Sequence, residues 1–112
     1  MAQVAYLTVT ISSGQSLSPA INTGGGLLVG IQMPASWTSA DLTFQGSFDG
    51  TTYTNLYDSL GTEITAAAAA SRGISALNSS VFAAFNFVKI RSGTSGAAVN
   101  QAADRIITLA FL

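Results

Sequence analysis

The sequence predicts an all-β protein: a single-domain β-sandwich over residues 1–112, jelly-roll-like, with seven to eight antiparallel strands. Three observations lead to this fold class. Apolar and polar residues alternate with a period of two in several segments, and turn-forming residues separate these segments at roughly even spacing. The length of 112 residues is typical of one domain with a single core.

The two ends of the chain show the alternation most clearly. The segment from Val4 to Ile11 alternates three aliphatic residues with three others: Leu7, Val9 and Ile11 against Tyr6, Thr8 and Thr10. The stretch DRIITLAFL at residues 104–112 predicts a second terminal strand by the same period of two. The stretch LLVGIQM at residues 27–33 predicts another strand, with four side chains on one face: Leu27, Val29, Ile31 and Met33. Between these strands, SSGQSLSPAINTGGG contains Pro19 and three consecutive glycines, so we expect a loop there.

The stretch LTFQGSFDGTTYTNLY, from Leu42 to Tyr57, predicts a β-hairpin with a tight turn at Asp49-Gly50. Asp-Gly is typical of the type I′ turn, in which both central residues have positive φ. We expect Gly50→Val to damage this turn and Gly50→Asn to do little. Along the outgoing strand, apolar residues alternate with polar ones: Leu42, Phe44 and Phe48 against Thr43, Gln45 and Ser47.

The second half of the chain gives weaker signals. DSLGTEI contains a turn, and the five alanines at residues 66–70 favour helix by propensity but are too few for more than one helical turn. RGISAL predicts a short strand and Ser79–Val81 a bend. FAAFNFVKIRSG predicts one longer strand that is apolar on both faces, so another layer or another chain is expected to cover it.

Charged residues make up only 8% of the chain, against roughly 25% in an average soluble domain. Four basic residues without a patch exclude duplex nucleic acid as an expected partner, and the short apolar runs predict no membrane span. The stretch MAQVAYLTVT has no basic region followed by an apolar block, so no signal peptide is expected. Two interpretations of the low charge remain open. The protein is either a monomer solvated by Ser, Thr and Asn, or, as we favour, a subunit whose surface is covered by neighbours.

No catalytic, metal or cofactor site is expected. The chain has no Cys and no His, which excludes disulfides, thiolate–zinc sites and His-dependent catalysis. Asp49 is explained by its turn, and Asp41 and Asp58 flank predicted strands, where Asx turns are common. The NTGGG stretch lacks the Lys-Ser/Thr of a phosphate-binding loop and precedes a strand. The protein is therefore predicted not to be an enzyme.

Three aromatic residues, Trp37, Tyr53 and Tyr57, are the candidate interface or glycan platform. The alternative is that Trp37 packs over one end of the sandwich. Lys89 and Arg91 share one face of a predicted strand, which indicates either a solvated face or an ion pair with an acidic residue across the sheet.

Part of the sequence resembles small β-sandwich proteins encoded in the structural gene clusters of tailed bacteriophages. The resemblance rests on Trp37, then LTFQGSFDGTTYTNLYDSLGTEI, then FVKIRSGTSGAAVNQAADRIITL, and covers about residues 30–112. The shared pattern is a Trp, a TFQ-x-S-x-DG hairpin, a Y/D-x-x-G turn, a K-x-RSGT strand end and a V-x-Q step into the last strand. It implies a virion component: a capsid cement or decoration protein, a head fibre or a tail attachment module, without catalytic residues.

The expected function is a capsid cement or decoration protein in the virion, assembled in the host bacterial cytoplasm. Its expected partners are itself, as a homo-oligomer in the form of a trimer, and the phage major capsid protein or other virion subunits. The alternative is a carbohydrate-binding or host-adhesion module of a phage fibre or tail, with Trp37, Tyr53 and Tyr57 as its platform. An enzyme is only a residual possibility.

Overall fold

Two antiparallel sheets pack face to face in the computed structural model of the chain, which describes residues 3–75 and 79–112. This part of the chain contains nine strands, several of them only two residues long. They are β1 (Ala5–Ile11), β2 (Ile21–Asn22), β3 (Leu28–Gln32), β4 (Leu42–Ser47), β5 (Thr54–Asn55), β6 (Thr65–Ala66), β7 (Gly73–Ile74), β8 (Phe87–Ser92) and β9 (Arg105–Phe111).

The strand order is that of a jelly roll. The four-stranded sheet has the order β1-β9-β3-β7, and the five-stranded sheet has the order β2-β8-β4-β5, with β6 also paired to β4. Strands β5 and β6 pair with successive parts of β4, at Gln45–Gly46 and at Leu42–Thr43, so they act as one interrupted strand. Counted in this way, eight strands are divided between two sheets, and the predicted all-β, jelly-roll-like sandwich is confirmed.

The core lies between the sheets and follows the period of two. In β1, Val9 and Ile11 are buried, while Tyr6 and Thr8, which point to the opposite face, are exposed. Strand β9 contributes three buried residues in the same way: Ile107, Leu109 and Phe111. The two terminal strands pair along their whole length, from Ala5–Phe111 to Ile11–Arg105, and both are strands that the sequence predicted.

Strand β3 departs from strict alternation. Its pairing with β9 shifts between Leu28 and Gly30, which marks a β-bulge. The bulge changes which residues face inward, so Leu28 and Ile31 are both buried, whereas Val29 is only half-buried. The prediction that Leu27, Val29, Ile31 and Met33 all face one way was therefore wrong at the bulge, because a pattern of period two does not reveal an extra residue.

The hairpin turn at Asp49-Gly50 is wider than predicted. Gly50 has a φ of 80°, but Asp49 is not in the left-handed region, which excludes a type I′ turn. The last paired residues are Gly46 and Thr54, so a loop and not a two-residue turn joins β4 to β5. Strand β4 ends at Ser47, so Phe48 does not follow the inward face of Phe44; it is 71% exposed and stacks on Phe85.

Three further segments also differ from their predictions. The stretch predicted as one loop contains β2 and a bridge between Leu17 and Arg91. The long strand predicted over residues 82–93 is shorter, from Phe87 to Ser92, and the 3₁₀ helix Ser79–Phe82 replaces the predicted bend and takes the first residue of that predicted strand. The predicted RGISAL strand is β7 at Gly73–Ile74, and its last two residues, 76 and 77, lie outside the described residues.

The alanine run is not helical. Ala66 lies in β6, and residues 67–70 have no helical assignment, as expected for a short run between β segments. Across residues 3–75 and 79–112 there is no helix with the length and apolar character that crossing a membrane requires.

Candidate functional site

The outer face of the five-stranded sheet is unusually buried. Outward-facing residues of an antiparallel sheet normally meet water, yet Thr43, Ser47 and Arg91 are each less than a tenth exposed. Leu42 and Phe44 alternate with Thr43 and face the core. Other segments of the same chain must therefore lie over this outer face.

One covering segment is a small hairpin at the sheet edge, residues 56–64, which we call the edge hairpin. It leaves the sheet between β5 and β6, is closed by a bridge between Tyr57 and Glu63, and turns at Asp58. The Asp58 carboxylate accepts hydrogen bonds from the amides of Leu60 (2.9 Å) and Thr62 (3.0 Å), which fixes the turn. The turn predicted in DSLGTEI is thus confirmed.

The edge hairpin carries Glu63 to Arg91 of β8. Arg91 Nη2 lies 3.0 Å from Glu63 Oε2, and both side chains are largely removed from water, at 8% and 14% exposure. Arg91 also donates from Nε to Thr43 Oγ1 (3.0 Å) and from Nη1 to Asn55 Oδ1 (2.8 Å). Of the two interpretations of Arg91, the ion pair is confirmed and the solvated face was wrong. We call Arg91, Glu63, Thr43 and Asn55 the Arg91 cluster.

The Arg91 cluster is closed by the loop after β8. Thr43 Oγ1 donates to the carbonyl of Gly93 at 2.7 Å, and the amide of Ser95 donates to both Glu63 carboxylate oxygens at 3.2 and 3.1 Å. Within the described part of the chain, no buried side-chain nitrogen or oxygen lacks a hydrogen-bond partner. A carboxylate bonded to a guanidinium and an amide in this way stabilises a fold and is poorly placed to accept a proton from a substrate.

The remaining carboxylates are also bonded to the chain itself. Asp49 Oδ1 accepts from the amides of Thr51 (2.8 Å) and Thr52 (2.9 Å) and from Ser47 Oγ (2.9 Å). The amides of Thr52 and Thr51 and the Ser47 hydroxyl hold the pKa of Asp49 below its usual value. Asp49 therefore fixes the loop as an anion, by an Asx arrangement in place of the predicted type I′ turn.

Asp41 and Asp104 connect segments that are distant in the sequence. Asp104 Oδ1 accepts from the Ser13 amide at 2.7 Å, and Asp41 Oδ1 accepts from the Ala68 amide at 3.4 Å. Among the residues that the structure describes, no three acidic side chains come together as metal ligands would. Asp41 and Asp104 thus each join one loop to a distant segment of the chain.

The three aromatic residues of the candidate platform lie in different environments. Trp37 packs against the core, and its indole Nε1 donates to the carbonyl of Ala40 at 2.9 Å, which agrees with the structural alternative. Tyr57 is half exposed and its hydroxyl lies 2.9 Å from Ser95 Oγ. The ammonium of Lys89 lies 4.2 Å from the centre of the Tyr53 ring, so a cation already occupies one face of that ring.

The clefts of the described residues are small and open. One of them has a volume of about 270 Å³ and is lined by Phe44, Glu63 and Phe82, among others. Small-molecule sites typically have volumes of about 300–1,000 Å³ and enclose most of their ligand. This cleft is therefore smaller than a typical site for a small molecule.

Three exposed features were not predicted from the sequence. Leu60 is 91% exposed at the tip of the edge hairpin, and Phe48 is exposed beside its loop. The third is the free edge of β1, with Tyr6 72% exposed. The strand pattern gave a signal only for β1, because alternation identifies a strand but not its place in the sheet.

The fold has a counterpart among solved structures. The crystal structure of SPBc2 prophage-derived protein YomS is similar over 99% of this chain and 96% of that chain, with a TM-score of 0.58 and 11% sequence identity. At this identity the similarity concerns the fold. No family model matches the sequence, and no curated protein matches it.

Proposed function

We propose that this chain is a non-enzymatic structural protein of a bacteriophage particle, and that it acts as a self-associating cement or decoration subunit on the capsid. The observation that carries the proposal is the fold, which matches a prophage-derived protein over nearly the whole of both chains. The residue pattern that resembles phage structural proteins supports the same role independently.

The hydrogen bonding of the carboxylates supports a structural role. Each of the five, Glu63 in its ion pair included, accepts a hydrogen bond from a backbone amide of the described chain. Catalytic acids and bases need a free lone pair or proton directed at a substrate. The acidic residues here are used to hold loops and cover a sheet.

The exposed surface supports association with other subunits. Large apolar side chains that are exposed by more than two fifths include Tyr6, Phe48, Leu60 and Ile106. The chain has only nine charged residues in 112, and two of them, Glu63 and Arg91, are paired and shielded from water. Interface cores are depleted in charge and enriched in aromatic residues. A subunit that is covered by neighbours in a particle would have such a surface.

The test is whether the protein is a stoichiometric component of particles. Particles of the phage that encodes the chain would be purified on a density gradient and their proteins quantified by mass spectrometry. We expect this chain at a fixed ratio to the major capsid protein, and we expect purified chain to rebind particles from which it has been stripped. Particles that lack the chain, and that do not bind it when it is added, would contradict the proposal.

A carbohydrate-binding or host-adhesion module is the second candidate function. It is favoured by the half-exposed ring of Tyr57 on the outer side of the five-stranded sheet, and it is weakened by Lys89 over the ring of Tyr53. A glycan array with the purified chain would separate the two. Binding that Tyr57→Ala abolishes while the melting temperature stays unchanged would favour adhesion over cement.

A further inference from the structure

Strand β1 has a free edge along its whole length. It lies at the end of the four-stranded sheet and pairs with β9 through all seven of its residues, Ala5–Ile11. In the described part of the chain, no other strand pairs with β1, and no loop amide or carbonyl bonds to its backbone. Its second row of backbone donors and acceptors therefore faces water.

None of the usual protections of an edge strand is present in β1. Natural edge strands are kept from pairing with other chains by charged residues, Pro, bulges or short length. The sequence AYLTVTI has no charged residue and no Pro, and its register with β9 is regular throughout. Such an edge is a template for another strand.

The length of β1 identifies the other strand. The remaining edges of the described sandwich are formed by β2, β7, β5 and β6, and each of these strands is two residues long. The segment before β2 also reaches β8 through the Leu17–Arg91 bridge, but Pro19 interrupts it, so it offers no continuous edge. The edge of β5 and β6 is also interrupted by the edge hairpin. A seven-residue partner with a free edge is therefore found only in β1 of a second copy, as far as the described residues show.

We propose that two copies of this chain pair antiparallel through their β1 edges about a twofold axis. The pairing joins four strands from each copy into one continuous sheet of eight. It rests on the self-association that is part of the proposed function, and it assigns that association a surface. It builds dimers or assemblies of dimers, where a trimer was the form expected from the sequence.

The register of the two β1 strands follows from the two faces of each strand. Val9 and Ile11 face the core, and Tyr6 and Thr8 face outward. The twofold axis must therefore pair core-facing residues of one copy with core-facing residues of the other. An axis at Thr8, the central residue of β1, pairs all seven residues of each copy: Ala5 with Ile11, Tyr6 with Thr10, Leu7 with Val9, and Thr8 with Thr8. No like charges oppose one another, because β1 has none.

A single cysteine tests this register, because the chain has no cysteine of its own. In the proposed dimer the two Thr8 Cα atoms are about 4.5–5.5 Å apart, which is within the range that a disulfide spans. We expect Thr8→Cys to form a disulfide-linked dimer on mild oxidation. The matched control is Gln32→Cys, because Gln32 is exposed in the same cross-strand row, Thr8–Thr108–Gln32, but two strands inward. On a denaturing gel without reducing agent, the Gln32→Cys variant should run as a monomer, because no disulfide joins its two copies.

Charged residues introduced on both sides of the twofold axis give a second test of the register. Thr8→Lys places like charges opposite each other and should raise the dimer dissociation constant roughly fivefold. Thr8→Glu should do the same. When equal amounts of the two variants are mixed, native mass spectrometry should show heterodimers at more than the twofold excess over each homodimer that random pairing gives. Gln32→Lys should leave the dissociation constant within about twofold of the unmodified chain, since position 32 does not face the partner.

The outcomes separate this inference from the function it rests on. If the chain is found in particles or forms oligomers, but Thr8→Cys is not cross-linked or Gln32→Cys is cross-linked equally well, the β1 interface is wrong and the structural role remains. A chain that is monomeric by sedimentation at micromolar concentration and is absent from particles overturns both.

Discussion

The two sheets of this protein differ in how their outer surfaces are treated. The five-stranded sheet is covered by its own chain: the edge hairpin and the loop after β8 close over Arg91 and Thr43. The four-stranded sheet has no comparable cover in the described structure, and its outer residues Tyr6 and Ile106 are exposed. The contrast teaches that one side of the sandwich is completed within the molecule, whereas the other leaves the free edge of β1 and exposed apolar side chains in contact with water.

The largest expected effect comes from breaking the ion pair between Glu63 and Arg91 on the covered side of the five-stranded sheet. Glu63→Ala would leave the guanidinium of Arg91 without its carboxylate in a site that water barely reaches, and we expect a loss of about 3 kcal/mol in the free energy of unfolding. Urea denaturation measures it. The double variant Glu63→Leu with Arg91→Met should be less destabilised than Glu63→Ala, because it leaves no unpaired charge; the reverse order would contradict the shielded ion pair.

A close approach at Gly46 gives the next effect. A Cβ on Gly46 would lie 2.6 Å from Phe85 Cδ1 and 2.9 Å from Leu56 Cδ2, so Gly46→Ala forces two packed side chains to move. We expect a loss of about 2 kcal/mol. Gly73→Ala in the four-stranded sheet is the control: it meets nothing within 4 Å and should change stability by less than about 0.5 kcal/mol. Equal thermal shifts for both variants would show that the side chains around Gly46 yield easily.

A matched pair of threonines compares the two outer faces directly. Thr43→Ala removes the acceptor of Arg91 Nε and the donor to Gly93, and we expect it to cost about 1–2 kcal/mol. Thr8→Ala, on the exposed outer face of β1, should cost less than about 0.5 kcal/mol in the monomer. Chemical denaturation at a concentration below the dimer dissociation constant makes the comparison; similar costs would mean that the two faces are solvated alike.

The loop between β4 and β5 gives the next test, because Gly50 in this loop packs against Phe87 of the five-stranded sheet. Gly50→Val places a β-branched residue at a φ of 80° and its Cβ 3.1 Å from the ring of Phe87, which we expect to cost on the order of 1–2 kcal/mol. Gly50→Asn should cost less, because Asn tolerates positive φ, but it still brings a Cβ against the ring. Melting temperatures that fall from the unmodified chain to Gly50→Asn and further to Gly50→Val would agree with this expectation. An Asn variant that melts below the Val variant would contradict it.

The smallest expected effect is a pH dependence at Asp49. Hydrogen bonds from the amides of Thr52 and Thr51 lower the pKa of Asp49 from 3.8, so its ionised form stabilises the folded state. That contribution is fully present above pH 3.8 and is lost as the pH falls through the lower folded-state pKa. Asp49→Asn should therefore melt below the unmodified chain at neutral pH, and the difference should narrow below pH 3.8. A difference that widens in acid would give the pKa shift the opposite sign.

The sequence by itself determined the fold class and the position of the longest strands. The alternation in residues 4–11 and 104–112 is a local property with a period of two, so it identifies a strand and its buried face without knowledge of the rest of the chain. The absence of Cys and His likewise excluded whole classes of chemistry, because those classes require particular side chains wherever the chain places them. The turn at Asp58 was found from the sequence as well, since its determinants lie within five residues.

The tertiary structure alone decided which outward-facing residues are covered and which are free. Arg91 meets Glu63 and Thr43 across 28 and 48 residues of sequence, and no local pattern encodes such a meeting. The bulge in β3 and the exposure of Phe48 depend in the same way on the register of neighbouring strands. The free edge of β1 follows from its place at the end of the strand order. That order depends on how all segments of the chain pack together. Alternation, in contrast, is a property of each strand alone and carries no information on which strands become neighbours.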